Sequence, residues 1–339
     1  MLENQLSRYG AIVKQIPELA PGAKVFLVSD SDDTTVGPLN LGAEFPVDKD
    51  GVARVYTTIQ AAVNAAAASR GDVIVVLPGY DNTLGRADSW TTAGVHIVGI
   101  GNGENKPIIR YGAITDEVGI AANYVHVKNL RFLADFDSVA RAVDLDTGFG
   151  GAHIENCVWD FDSNAMNFKT MLRVGQSNTV IENNEFRAED TAGAGKGVSI
   201  FGGGADFLTI KDNFFYGQFD TMGDSLTNGA GAIHLDSLHD SFDTVLSGLN
   251  ISENTIVSTD TAAPLLINIS TTAGISPIRG IAANNVFVSY DTGTVADTAA
   301  VNFGATLGVL PVNNVFIDGD SDIQQGIVGR QLMVGNLDS

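Results

Sequence analysis

The chain has 339 residues, 44% of them hydrophobic and only 17% charged, with 38 glycines. No apolar run approaches the ~18 residues a membrane span needs, so composition points to a globular protein. The formal charge of −21 at pH 7 repels nucleic-acid phosphates and anionic membranes, and the single Cys157 excludes an internal disulfide. No basic-then-apolar leader opens the sequence, so folding in a reducing cytoplasm, or without regard to redox, is expected.

In chain order, the first predicted element is an amphipathic helix. Leu2, Leu6, Tyr9, Ile12, Val13 and Ile16 share one face, Glu3, Gln5, Arg8 and Lys14 the other, and Pro17 ends it. The segment VYTTIQAAVNAAAASRGDVIVVLPGYDNT (55–83) follows a long polar lead-in. Ile59, Ala62, Val63, Ala66 and Ala67 fall at helical spacing, with Thr57 or Thr58 as N-cap and Gly71 as the stop. Val73 to Leu77 is short and β-branched, which reads as a strand buried on both faces, and Pro78-Gly79 then turns the chain.

From there one pattern recurs: an apolar residue, a polar pair often containing Asn, then an aromatic or branched residue. The examples are VHVKNLRF, HIENCVWDF, VIENNEFRA, LTIKDNFFYG, LNISENTIVS, IAANNVFVS and PVNNVFID. Their anchors are Val127, Ile154, Ile181, Ile210, Ile251, Ala282 and Pro311, at intervals of 27, 27, 29, 41, 31 and 29 residues, and Ile97 lies 30 residues before the first. A second strand register runs beside it through Val143 and Leu145, Leu172 and Val174, Val198 and Ile200, Ile233 and Leu235, Ile267 and Ile269, and Val301 and Phe303. Strands repeating at this period without long helices wind into an all-β, single-stranded parallel β-helix of about eight rungs. The residue three past each anchor is Asn184, Asn213, Asn254, Asn285 and Asn314 in five consecutive rungs, an amide column expected to hydrogen-bond along the coil. Residues 58–70 then form a helical plug over one open end of the coil. The predicted organisation is an arm and lead-in at 1–54, the β-helix at 55–318 and a tail at 319–339.

The helix followed by GDVIVVLPG and GVHIVGIGNG, with Pro107 beyond, resembles the start of the pectin-lyase-like right-handed β-helix superfamily. Residues 22–65, GAKVFLVSDSDDTTVGPLNLGAEFPVDKDGVARVYTTIQAAVNA, are similar to the opening of β-helical phage virion proteins. That family includes tailspikes that cut polysaccharide and capsid-bound proteins that cut nothing. The lyases of this fold use calcium-binding carboxylates with an Arg base, and the polygalacturonases use Asn-Thr-Asp, Asp-Asp, His-Gly and Arg-Ile-Lys clusters; neither set is found here in order.

Other signals are weak. His239-Asp240 lacks companion clusters, GDSL at 223–226 lacks the elbow that exposes a nucleophilic serine, and Asp318 to Asp322 places Gly329 where a calcium loop wants Glu. SDSDD at 29–33 reads as a solvated turn. His96, His126 and His153 each precede an anchor and could stack outward, but the outer two would lie ~10 Å apart, too far for one ion. Asp135, Asp162 and Glu189, eight past successive anchors, form the sharper constellation. Neighbours ~5 Å apart and an outer pair ~10 Å apart bracket glycosidase separations, and like charges would raise one pKa. Trp159 nearby could stack on a sugar. Set against this, acidic turns abound in so acidic a chain, and they are ordinarily solvated.

Tailspikes of this architecture carry head and trimerisation regions, and the coil here leaves about 50 residues before it and about 20 after. The expectation is therefore a non-enzymatic phage virion structural protein, a capsid decoration or cement protein without metal or cofactor. Leu2, Leu6, Tyr9, Ile12, Val13 and Ile16 would bind the major capsid protein, with the protein a homotrimer on the outer capsid surface, made in the host cytoplasm. The alternatives are a small tailspike-like depolymerase using Asp135, Asp162 and Glu189, and a carbohydrate-binding adhesion module, which would need exposed aromatics aligned on one sheet.

Overall fold

In this computed structural model three parallel sheets build the coil, and the structure describes residues 20–29, 54–85, 87–163, 165–188, 196–201, 204–219, 231–236, 246–259, 267–268, 279–289, 301–302, 308–318 and 327–328. The first sheet has eleven strands, from Val55–Tyr56 and Val25–Val28 to Gly308–Val312. The second and third have nine each, running from Asp81–Leu84 to Val315–Asp318 and from Asp88–Trp90 to Ile327–Val328. Each turn of the chain gives one strand to each sheet, so every neighbour is parallel and distant in sequence, by 27 residues where Ile154 pairs with Ile181 and by 41 where Ile210 pairs with Ile251. The nine turns exceed the expected eight by the one that starts at Val73–Val76.

The anchors pair in the register their spacing implies: Ile74 with Ile97, Ile97 with Val127, then Ile154, Ile181, Ile210, Ile251, Ala282 and Pro311 in succession. The third sheet aligns Val143, Leu172, Val198, Ile233, Ile267 and Val301, the second register of the sequence. What the sequence pattern merged is resolved into two sheets. A single residue in left-handed conformation follows each short first-sheet strand and turns the chain into the second sheet. It is Asn129, Asn156, Asn183, Asp212, Glu253, Asn284 and Asn313, with φ between 50° and 60°. Asn and Asp tolerate that region best among residues with a Cβ, which accounts for the first Asn of the recurring Asn-Asn pairs.

The second Asn builds the amide column. Asn184 Nδ2 donates to Asn213 Oδ1 at 3.0 Å, and the same bond repeats from Asn213 to Asn254, Asn254 to Asn285 and Asn285 to Asn314. Each Nδ2 also donates to an anchor carbonyl: Ile154, Ile181, Ile210, Ile251 and Ala282. A buried amide with all of its groups paired satisfies the turn it sits in. Beside the column, inside the second sheet, Phe132, Trp159, Phe186 and Phe215 stack at centroid distances of 4.9, 4.5 and 4.6 Å.

The plug is a shorter helix than expected, Ile59–Ala65, capped by Thr58 Oγ1, which accepts from Ala61 N at 3.2 Å. It ends early because the buried Asp72 carboxylate accepts from Ala67 N and Lys24 N and pairs with Arg70. Its buried Ile59, Ala62 and Val63 face the interior, and it packs on Val25–Val28, Val55–Tyr56, Val73–Val76 and Asp88–Trp90. Outside it, the first sheet continues by two further strands, in register with Val73–Val76. Among the described residues no helix is long and apolar enough to cross a membrane.

Candidate functional site

Because strands alternate their faces, the outer face of the second sheet displays two columns. One is Arg131, Val158, Glu185 and Phe214; the other is Leu133, Asp160, Arg187 and Tyr216. The charges are cross-linked. Asp160, buried, accepts from Arg131 Nη2 at 2.7 Å and Arg187 Nη1 at 3.0 Å, while Arg131 Nη1 pairs with Glu104 and Arg187 Nε with Glu185. Hydrogen bonding to Glu185 raises the Arg187 pKa above its ordinary value. Arg131 Nε is buried without a hydrogen-bond partner among the described residues.

Lys106 stands where the loop after the strand His96–Gly99 enters this face. Its Nζ donates to the Asn156 carbonyl at 2.6 Å, and burial pushes its pKa below the usual lysine range. A cavity of about 230 Å³ lies between Lys106, Arg131, Arg187, Glu104, Glu185 and Asn156. A second, of about 450 Å³, shares Lys106, Asn156 and Glu185 and continues toward Phe214. Beyond it Phe214 and Tyr216 are 38% and 42% exposed, their rings 6.4 Å apart and 15° from parallel. Gly217 closes that strand at φ +116°, where a Cβ would lie 2.0 Å from the Ala188 carbonyl oxygen.

At the edge of the same face the structure brings together two of the three carboxylates singled out by spacing. Asp135 and Asp162 follow the paired residues Ala134 and Phe161, and both reach Arg110 Nη1, at 4.0 and 3.0 Å. Arg110 Nε also binds Asp81 at 2.6 Å, and these hydrogen bonds raise its pKa. The fold therefore does not build two bare like charges: a guanidinium sits among three carboxylates. Glu189 lies outside the described residues, as do His239-Asp240, GDSL, Asp320 and Asp322, Asp30 to Asp33 and all six capsid-binding candidates, Leu2, Leu6, Tyr9, Ile12, Val13 and Ile16. Trp159 is corrected. It is fully buried in the aromatic stack and meets no external sugar.

On the outer face of the first sheet, His96, His126 and His153 do form the expected column. His126 and His153 stack at 4.3 Å and 3°, and His96 meets His126 edge-on at 5.5 Å. Burial and then the His153 charge hold the His126 pKa down at about 4. Glu155, unweighed in the sequence, pairs with Lys128 and His126, and Glu182 with Lys211 and His153.

No protein-family model matches the chain. No curated protein matches it either. Among solved structures it is similar to a double mutant of the tailspike protein of E. coli bacteriophage HK620, at 16% identity and a TM-score of 0.42, over 79% of this chain and 47% of that one. It is also similar to a mannuronic acid specific family 6 polysaccharide lyase from human gut microbiota, at 12% identity and a TM-score of 0.31, over 78% of this chain and 86% of that one. The chain spans about half the length of the tailspike. Its own three parallel sheets, stacked turn on turn in one register, decide the architecture.

The chain has a parallel β-helix fold of three stacked sheets. Within this β-helix the expectation of a protein without catalysis is corrected. It rested on missing catalytic motifs and on the short stretches of sequence outside the coil. The outer face of the second sheet nonetheless carries a polar groove ending in two exposed aromatic rings. The signal for that groove was in the sequence: residues four and six past each anchor form its columns.

Proposed function

We propose that this β-helix is a tailspike-like polysaccharide depolymerase that holds a glycan strand along the outer face of its second sheet. The observation that carries the reading is the alignment of exposed Phe214 and Tyr216 with the Lys106, Arg131 and Arg187 groove. Sugar rings stack on aromatic faces, and hydroxyls exchange hydrogen bonds with paired arginines and carboxylates. Asp135 and Asp162, at a strand spacing of ~4.8 Å, are the acid–base pair, near the ~5–5.5 Å of retaining glycosidases. Arg110 orients them. Glu189, eight past the next anchor in sequence, lies outside the described residues. The capsid-decoration reading gives way to this one, and virion attachment through residues 2–16 is carried with it as part of the proposal.

The test is incubation of the purified protein with bacterial capsular and lipopolysaccharide glycans, read by reducing-end release and polymer size. Shortening of one polymer, lost in Asp162→Asn and reduced in Asp135→Asn with melting temperatures unchanged, is expected. Unchanged shortening in both variants overturns the residue assignment. Failure of the wild-type protein to cut or retain any glycan of the panel overturns the function.

A further inference from the structure

His153 and Glu155 lie two residues apart on the strand His153–Glu155, so both project outward, and His126 is the direct partner of His153 on the neighbouring strand. Their donor atoms all lie within 4.8 Å of one another. His126 Nε2 and Glu155 Oε2 are 3.2 Å apart, close to the ~3.4 Å between two ligands of a tetrahedral ion at ~2.0–2.1 Å bonds. The imidazoles of His126 and His153 lie parallel, their centroids 4.3 Å apart. Closing the remaining gap requires side-chain torsions alone, since strand pairing fixes the backbones. The side chains are 20%, 32% and 21% exposed for His126, His153 and Glu155, so an ion reaches them from solvent.

We propose that His126, His153 and Glu155 form a binding site for a divalent transition cation of the Zn²⁺ class, clamping two adjacent turns of the first sheet. The earlier objection applied to a three-histidine site spanning three strands; with Glu155 in place of His96 the ligands span two. Two imidazoles and one carboxylate suit Zn²⁺, whereas Ca²⁺ and Mg²⁺ favour oxygen alone. Lys128 at 2.8 Å from Glu155, and Glu182 at 2.8 Å from His153 Nε2, are the outer contacts that orient the ligands. This site lies on a different sheet from the groove and stands independently of the depolymerase reading.

The experiment is titration of EDTA-stripped, full-length protein with ZnCl₂ by calorimetry, together with visible absorption after Co²⁺ addition. Saturable binding with a tetrahedral Co²⁺ spectrum is expected, and His153→Asn and Glu155→Gln should each weaken Zn²⁺ at least tenfold while His96→Asn leaves it unchanged. Ca²⁺ should not compete. A zinc-dependent rise in melting temperature that disappears in Glu155→Gln is the second readout and serves if His153→Asn fails to fold. Absence of saturable zinc binding by the wild-type protein overturns the site. So does equal affinity in both ligand variants, which would place the metal elsewhere on the acidic surface.

Discussion

Asn213→Ala isolates the amide column from the rest of the coil. Asn213 Oδ1 accepts from both the backbone N and Nδ2 of Asn184 at 3.0 Å, while its Nδ2 donates to the Ile181 carbonyl at 2.9 Å and Asn254 Oδ1 at 3.0 Å. The alanine removes all of these. Asn184 Nδ2 keeps the Ile154 carbonyl and Asn254 Oδ1 keeps the backbone N of residue 213, but the buried Asn184 N–H loses its acceptor. One orphaned donor costs ~1–3 kcal/mol and each weakened partner less, so the expected loss is about 3–5 kcal/mol. An unfolding entropy near 2.1 cal/mol/K per residue gives roughly 0.7 kcal/mol/K for this chain, hence a melting temperature lowered by about 4–7 °C in scanning calorimetry. Asn183→Gly, one residue earlier, is the contrast. Asn183 is exposed and holds φ +56°, which glycine adopts without cost, so its melting temperature should stay within about 1 °C. A shift under about 1 °C for Asn213→Ala, or equal shifts for both variants, would refute the division of labour within the Asn-Asn pair.

Three further outcomes follow from the packing, the half-buried His126 and the proposed arm. Both tryptophans, Trp90 and Trp159, are fully buried, so their fluorescence should resist acrylamide quenching and ignore bound glycan; strong quenching of the native protein would contradict the interior stack. His126 takes a proton at about 4 in the fold and near 6.5 unfolded, so its contribution is full above pH 6.5 and is lost as pH falls toward 4. The loss is at most about 3 kcal/mol. Melting temperature should fall less steeply across that window in His126→Gln than in the wild type, with His96, His153, Glu155, Glu182 and Lys128 kept; parallel curves would contradict it. For the proposed arm, deleting residues 1–18 should leave strand-type circular dichroism intact while removing the protein from virions, and full occupancy by the truncated protein would place the attachment elsewhere.

The coil was legible in the sequence because its repeat is carried by side chains that cannot be exchanged freely. An anchor such as Ile181 must be apolar to face the interior, and the amide of Asn213 must bridge its neighbours. The groove was harder to read because the turn hides the face. Alternation counted from Ile154 puts Trp159, five residues on, at the surface; the left-handed residue Asn156 shifts the parity and turns it inward. Val158 and Asp160 consequently face out, and their columns bring Arg131, Glu185, Arg187, Phe214 and Tyr216 into line. Asp135 and Asp162 were found by spacing, but Arg110 was not, because it enters from a turn whose interval is stretched by the loop GNGENKP before it. Glu155 escaped notice since a carboxylate two residues from a histidine is unremarkable until strand pairing supplies the second imidazole.

The central claim concerns where a glycan lies. The most direct measurement is a structure of the Asp162→Asn protein with an oligosaccharide from the polymer that the wild-type protein retains or cuts. The account predicts sugar density along the outer face of the second sheet, with one ring against Phe214 or Tyr216 and others over Lys106, Arg131 and Arg187. Ordered sugar on the first or third sheet, with that face bare, would contradict it.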